Sequence, residues 1–125
     1  MPPPDTPVLI IVDDDAAVLG SLRFLLEAEG FEVHAFSNGA ELLALEQLPR
    51  SDCLVTNQQM PGMSGLDLFK RLRARRVMLP TILITGYLDS ALRERAAAAG
   101  ITTMLEKPVL DDTLLDGIRG FCRPP

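Results

Sequence analysis

The sequence contains no tryptophan, a single tyrosine and a single histidine among 125 residues. One histidine cannot supply a zinc centre of paired imidazoles, and His34 has no serine or cysteine placed to complete a nucleophilic triad. Cysteine is nearly as scarce. Cys53 and Cys122 show neither metal-ligand spacing nor a disulfide framework, and free thiols fit a reducing cytoplasm. Long apolar runs are missing too: the longest are of strand length, too short to cross a bilayer. The opening MPPPDTP has neither the basic nor the apolar segment of a signal peptide. Positive charge is outnumbered, 12 Lys and Arg against 17 Asp and Glu, and the net charge of -5 argues against binding nucleic acid. No glycine-rich phosphate loop or dinucleotide fingerprint follows the first apolar run, which removes the common nucleotide-binding classes.

What is present is the composition of a folded domain. Hydrophobic residues make up 47% of the chain and charged residues 23%, enough for one soluble unit with a real core. Five short apolar runs alternate with helix-like segments. The runs are VLIIV (8–12), FEVHAF (31–36), CLVT (53–56), TILIT (81–85) and TTML (102–105); the helical segments are 16–29, 38–48, 65–76, 89–99 and 111–122. Three runs are nearly continuous in hydrophobicity, as parallel strands covered on both faces are, whereas FEVHAF alternates and suits an edge. His34 sits on that edge strand without chemistry of its own. In the first helical segment Leu19, Leu22, Leu25 and Leu26 recur at helical spacing, and Gly30 ends it.

Ser37 is placed to cap the second helix and Pro49 to close it. Asp111 and Asp112 open the fifth, whose glycines Gly117 and Gly120 leave it dependent on packing by Leu114, Leu115, Ile118 and Phe121. The basic run Lys70, Arg71, Arg73, Arg75, Arg76 reads as a helix C-terminus that tolerates positive charge; a partner or anion contact is the other reading. The pattern predicts an α/β fold, (βα)5, with a doubly wound parallel sheet and helices on both faces. Residues 7–123 form this single domain, with 1–6 as a flexible lead-in and 124–125 as a tail or linker start.

Polar residues collect at one end of that predicted sheet. Asp13 and Asp14 follow the first strand, Asn57 the third and Lys107 the fifth, while Thr85 ends the fourth. In an open parallel sheet the C-terminal strand ends form the ligand crevice. Two carboxylates and an ammonium there suit a hard divalent cation beside an anion, and Mg2+ needs only one or two carboxylates, a backbone carbonyl and water. Lys107 supplies a point charge, Thr85 a donor and Gly86 room for an incoming group. Asp15 reads as a charge at a helix N-terminus rather than a third ligand.

The motifs VDDD (12–15), MPGMSGLDL (60–68), ITGY (84–87) and EKPV (106–109) resemble the receiver domain of bacterial two-component response regulators, and most of all the nitrogen-fixation regulator subfamily. The resemblance covers about residues 7 to 123. It implies a flavodoxin-like five-stranded sheet in the order 2-1-3-4-5. It implies that Asp13 and Asp14 form the acidic pocket for Mg2+, with Asp14 a direct ligand, and that the backbone carbonyl of Gln59 completes the coordination. Thr85 resembles the hydroxyl residue that moves toward the phosphoryl group, and Lys107 the ammonium that pairs with it. The Lys107–Pro108 bond is expected to be cis.

Asn57 stands where the family has its phosphoacceptor aspartate. An amide is a very poor nucleophile toward phosphorus. Asn57 could still offer a carbonyl oxygen to a cation, but the lost charge weakens cation affinity while it relieves repulsion in the pocket. Two further positions depart from the subfamily: Met104 replaces an aromatic three residues before the lysine, and Val109 a phenylalanine after KP. Together they favour natural divergence over a single laboratory replacement. Met104 reads as packing, or with Tyr87 as part of a switching face formed by the fourth helix, fifth strand and fifth helix.

The expected function is an atypical receiver in two-component signal transduction, not an enzyme, unable to accept a phosphoryl group and acting by protein contact. Its implied partners are a sensor histidine kinase, another signalling protein, or a second copy through that face. No membrane or direct nucleic-acid contact is expected. The alternative is an ordinary Mg2+-dependent receiver of a longer transcriptional regulator, present as an Asp-to-Asn mutant or fragment; a Mg2+-dependent phosphatase or hydrolase is more remote.

Overall fold

A computed structural model describes residues 6–109 and 112–122. Five strands, β1 (Val8–Val12), β2 (Glu32–Phe36), β3 (Cys53–Asn57), β4 (Thr81–Thr85) and β5 (Thr103–Glu106), alternate with five helices. The helices are α1 (Ala16–Ala28), α2 (Gly39–Leu43), α3 (Gly65–Ala74), α4 (Ser90–Ala99) and α5 (Thr113–Phe121). The strands pair in parallel in the order β2-β1-β3-β4-β5. The predicted (βα)5 topology holds, and FEVHAF is an edge as its alternation required. The predicted opening of the fifth helix at Asp111 lies outside the described residues.

Successive residues of a strand point to opposite faces, so each buried strand feeds two cores. Leu9, Ile11, Val33, Val55, Ile82 and Ile84 pack with Leu26 of α1 and Leu114, Leu115 and Ile118 of α5. On the other face Ile10, Val12 and Leu54 meet Leu42, Leu68 and Leu72, while Leu83 meets Leu66, Phe69, Leu92 and Ala96. Leu25 does not join the α1 face: it is 46% exposed, next to Phe24 at 78%.

The helix ends follow local chemistry. Gly30 and Gly100 take left-handed backbone angles just past α1 and at the end of α4, where only glycine is unstrained. Ser64 and Asp67 form a reciprocal capping box at α3. Two expectations for α2 need correction. Its cap is Asn38, whose side chain accepts from Glu41 N at 2.8 Å, while Ser37 bonds to the Glu41 carboxylate. The helix also stops at Leu43, well short of 48. Leu48 precedes Pro49, a position where helical angles are disfavoured, and it packs into the core beside Leu42 and Leu54. Arg75 Nη1 then donates to the freed Leu43 carbonyl at 2.9 Å.

Candidate functional site

Each polar residue reaches the site because its strand ends there. Asp13 follows β1, Asn57 ends β3, Thr85 ends β4, and Lys107 follows β5. Thr85 lies opposite Glu106, and Asn57 opposite Ile84. The parallel register therefore sets these positions side by side along one edge. The Lys107–Pro108 peptide is cis, as expected.

Asn57 is 6% exposed, and its amide nitrogen donates twice: to Asp14 Oδ1 at 3.2 Å and to the Gln59 backbone carbonyl at 2.9 Å. Both neighbours can only accept, so the nitrogen must face them and the amide direction is determined. The Asn57 side-chain oxygen faces the other way, buried and without a hydrogen-bond partner among the described residues. A buried unpaired acceptor is uncommon and costs free energy.

Gln59 extends the network toward β4. Its side-chain oxygen accepts from Thr85 Oγ1 and from Gly86 N, each at 3.3 Å. Thr85 Oγ1 in turn accepts from Tyr87 N at 3.3 Å, and its one hydrogen is shared between Gln59 Oε1 and the Tyr87 carbonyl at 3.2 Å. Glu106 Oε2 accepts from Leu88 N at 2.9 Å, securing the same loop from β5. Gln58 points inward and receives Leu66 N at 2.9 Å, fixing the start of α3. The side chains of Gln58, Gln59 and Glu106 were not singled out from the sequence. Two adjacent amides directly after a strand end are the signal that points to Gln58 and Gln59.

Asp13 is 4% exposed, and one of its oxygens accepts from Asp15 N at 2.9 Å. Burial pushes its carboxyl up from the usual range; the Asp15 N–H and the Lys107 charge oppose this, and Asp14 and Asp15 reinforce it. Asp15 caps α1, accepting from Ala17 N at 2.9 Å and Val18 N at 3.2 Å, which is the N-terminal role its position suggested. Lys107 lines a cavity of about 270 Å³ with Asp13, Ile84 and Leu114, and it forms no ion pair among the described residues. Met104 stands apart from the network. It packs against the α3–α4 core, opposite Leu83 in the sheet.

These residues, as arranged, do not fit a hard cation. Mg2+ gathers oxygens; here two of the oxygens expected to bind it, Asp14 Oδ1 and the Gln59 carbonyl, converge on an N–H2 group. Among the described residues no group of three or more His, Cys, Asp or Glu is placed to hold a metal. The same amide is a very poor phosphoryl acceptor, because it is neutral where the attacking group of a carboxylate is an anionic oxygen.

A doubly wound sheet of this order, with an acidic pair, a threonine and a lysine at its C-terminal edge, defines a signalling receiver rather than an enzyme. The chain belongs to the response regulator receiver domain family, whose model matches residues 9–119. Receiver domains generally coordinate Mg2+ at this site. The chain is 38% identical over 117 residues to the transcriptional regulatory protein FixJ of Bradyrhizobium diazoefficiens, covering 92% of this chain and 56% of that protein. The crystal structure of FixJ-N superposes with a TM-score of 0.79 at 34% identity, covering 90% of each chain. A receiver domain from Clostridium thermocellum gives a TM-score of 0.84 at 28% identity, over 93% of this chain and 94% of that one. The chain spans about half the length of the regulators it matches. Its similarity is to FixJ-type receivers, with asparagine at the phosphoacceptor position.

Proposed function

We propose that this chain is a receiver module that carries no phosphoryl group on residue 57 and signals through protein–protein contact. The observation that carries this reading is the side chain of Asn57: buried, donating through both its amide hydrogens, and a neutral amide that is a very poor nucleophile. Asp13, Asp14, Asn57 and the Gln59 carbonyl are the remnant of a cation site whose affinity for Mg2+ the amide weakens. Thr85 and Lys107 keep the switch positions, while Met104 serves the core. A sensor histidine kinase or another signalling protein is the partner, and a second copy is the alternative through the face of α4, β5 and α5. No helix among the described residues is long and apolar enough to cross a membrane, and both cysteines are free, which supports a cytoplasmic setting. The net charge of -5 supports contact with proteins over nucleic acid.

The test is intact mass after incubation with Mg2+ and a small phosphodonor. The native chain is expected to gain no phosphoryl group, and Asn57→Asp is expected to gain one. A stoichiometric adduct on the native chain would overturn the reading. The intact remainder of the pocket favours one other reading, a receiver module of a longer regulator that normally carries aspartate at 57. A natural gene encoding aspartate there would establish it.

A further inference from the structure

Cations in acidic pockets act by drawing oxygens of different segments onto one centre. In this chain the two oxygens that converge are Asp14 Oδ1, from the loop after β1, and the carbonyl of Gln59, from the loop after β3. What they converge on is Asn57 Nδ2, at 3.2 and 2.9 Å. The side-chain oxygen of Asn57 is buried on the opposite side, without a hydrogen-bond partner among the described residues.

Resting on the receiver reading above, we infer that the Asn57 amide takes the bridging place of the divalent cation, making the site metal-independent. The loss of one carboxylate is only part of the effect. The amide also occupies the oxygens that a cation needs. Its reach extends further through Gln59, whose backbone oxygen receives the amide and whose side-chain oxygen receives Thr85 Oγ1 and Gly86 N. The loop that presents Tyr87, 68% exposed, is thereby tied to the acidic pocket by hydrogen bonds alone.

Charge loss and oxygen occupancy make opposite predictions for alanine. Asn57→Ala leaves the pocket's charge unchanged but frees Asp14 and the Gln59 carbonyl. If the amide competes with a cation, this variant binds one more tightly than the native chain, by roughly thirtyfold or more for one neutral hydrogen bond and one to a carboxylate. If charge alone matters, or if the amide turns its oxygen to the cation, alanine binds equally or more weakly.

The experiment is Mn2+ titration of the 15N-labelled chain with Mg2+ competition, reading paramagnetic broadening of the backbone amides of Asp13, Asp14, Asn57 and Gln59. The same spectra report whether each variant is folded. Expected are no saturable broadening in the native chain at concentrations that saturate Asn57→Ala, and tighter binding still in Asn57→Asp. Saturable broadening of the native chain at or above the affinity of Asn57→Ala overturns the inference. Its failure would leave the absence of a phosphoryl adduct untouched, and an adduct on the native chain would leave the cation result untouched, so the two readings fall separately.

Discussion

Asp13 holds a carboxylate where burial makes its charge costly, and that cost is readable as pH-dependent stability. Its folded-state affinity for a proton is raised above that of the unfolded chain, chiefly by desolvation. Such a group favours the fold when protonated, and that contribution disappears as pH rises through the folded value. At neutral pH the ionised side chain therefore destabilises the protein. Asp13→Asn is expected to raise the thermal midpoint at pH 7 by roughly 2–5 °C. The gain should shrink as pH falls through the raised value and vanish below about 3.9, the ordinary range of an unfolded aspartate. A gain independent of pH, measured by calorimetry across that range, would contradict this account. At this scale the positions of the site were legible, because Asp13, Asp14, Asn57, Thr85 and Lys107 all stand at strand ends. The direction of the Asn57 amide was not, since it depends on which oxygens β1 and the loop after β3 bring beside it. Nor was the role of the Gln59 side chain, whose partners Thr85 and Gly86 are contributed by another strand.

Helices and strands here were read well where pattern and punctuation agree. Each strand falls within about a residue of its apolar run, and Gly30 follows the end of the first helix as expected. The second helix failed because apolar spacing continued through Leu45 and Leu48, while the restriction before Pro49 and the pull of the core on Leu48 decided otherwise. Two glycines separate propensity from packing at the level of elements. Gly20 lies inside α1 and an added Cβ would meet nothing within 4 Å, so Gly20→Ala should stabilise by about 0.5–1 kcal/mol. Gly65 opens α3 against the end of β3. A Cβ there would strike the Asn57 backbone carbonyl and come within 2.8 Å of Leu83 Cδ1. Gly65→Ala should cost about 3 kcal/mol, because neither the buried strand nor the helix can retreat. Urea unfolding of the two variants checks both signs; equal effects would show that helix propensity alone governs these positions.

Across the whole molecule, signalling requires two arrangements that something can favour unequally. A ligand or covalent group shifts such an equilibrium only by its differential interaction with the two states, and moving it from 1:99 to 99:1 takes about 5.5 kcal/mol. In this receiver the sheet edge lacks a phosphoryl acceptor, and the loop after β4 is already held by Gln59, Thr85 and Glu106. Under the proposed function, partner binding supplies the bias, with the face of α4, β5 and α5 as its proposed surface. α4 is suited to respond, for it buries only Leu92 and Ala96, with Ala99 half-buried, beneath a mostly solvated helix. Phosphodonor with Mg2+ should therefore leave the amide spectrum of the native chain unchanged from Thr85 to Lys107. The Asn57→Asp variant should shift Thr85, Gly86, Tyr87 and the residues of β5 under the same conditions, because a carboxylate restores the acceptor and removes the amide from Asp14 and Gln59. The same shifts in the native chain would mean that the pocket still drives the surface, and that Asn57 has not disconnected it.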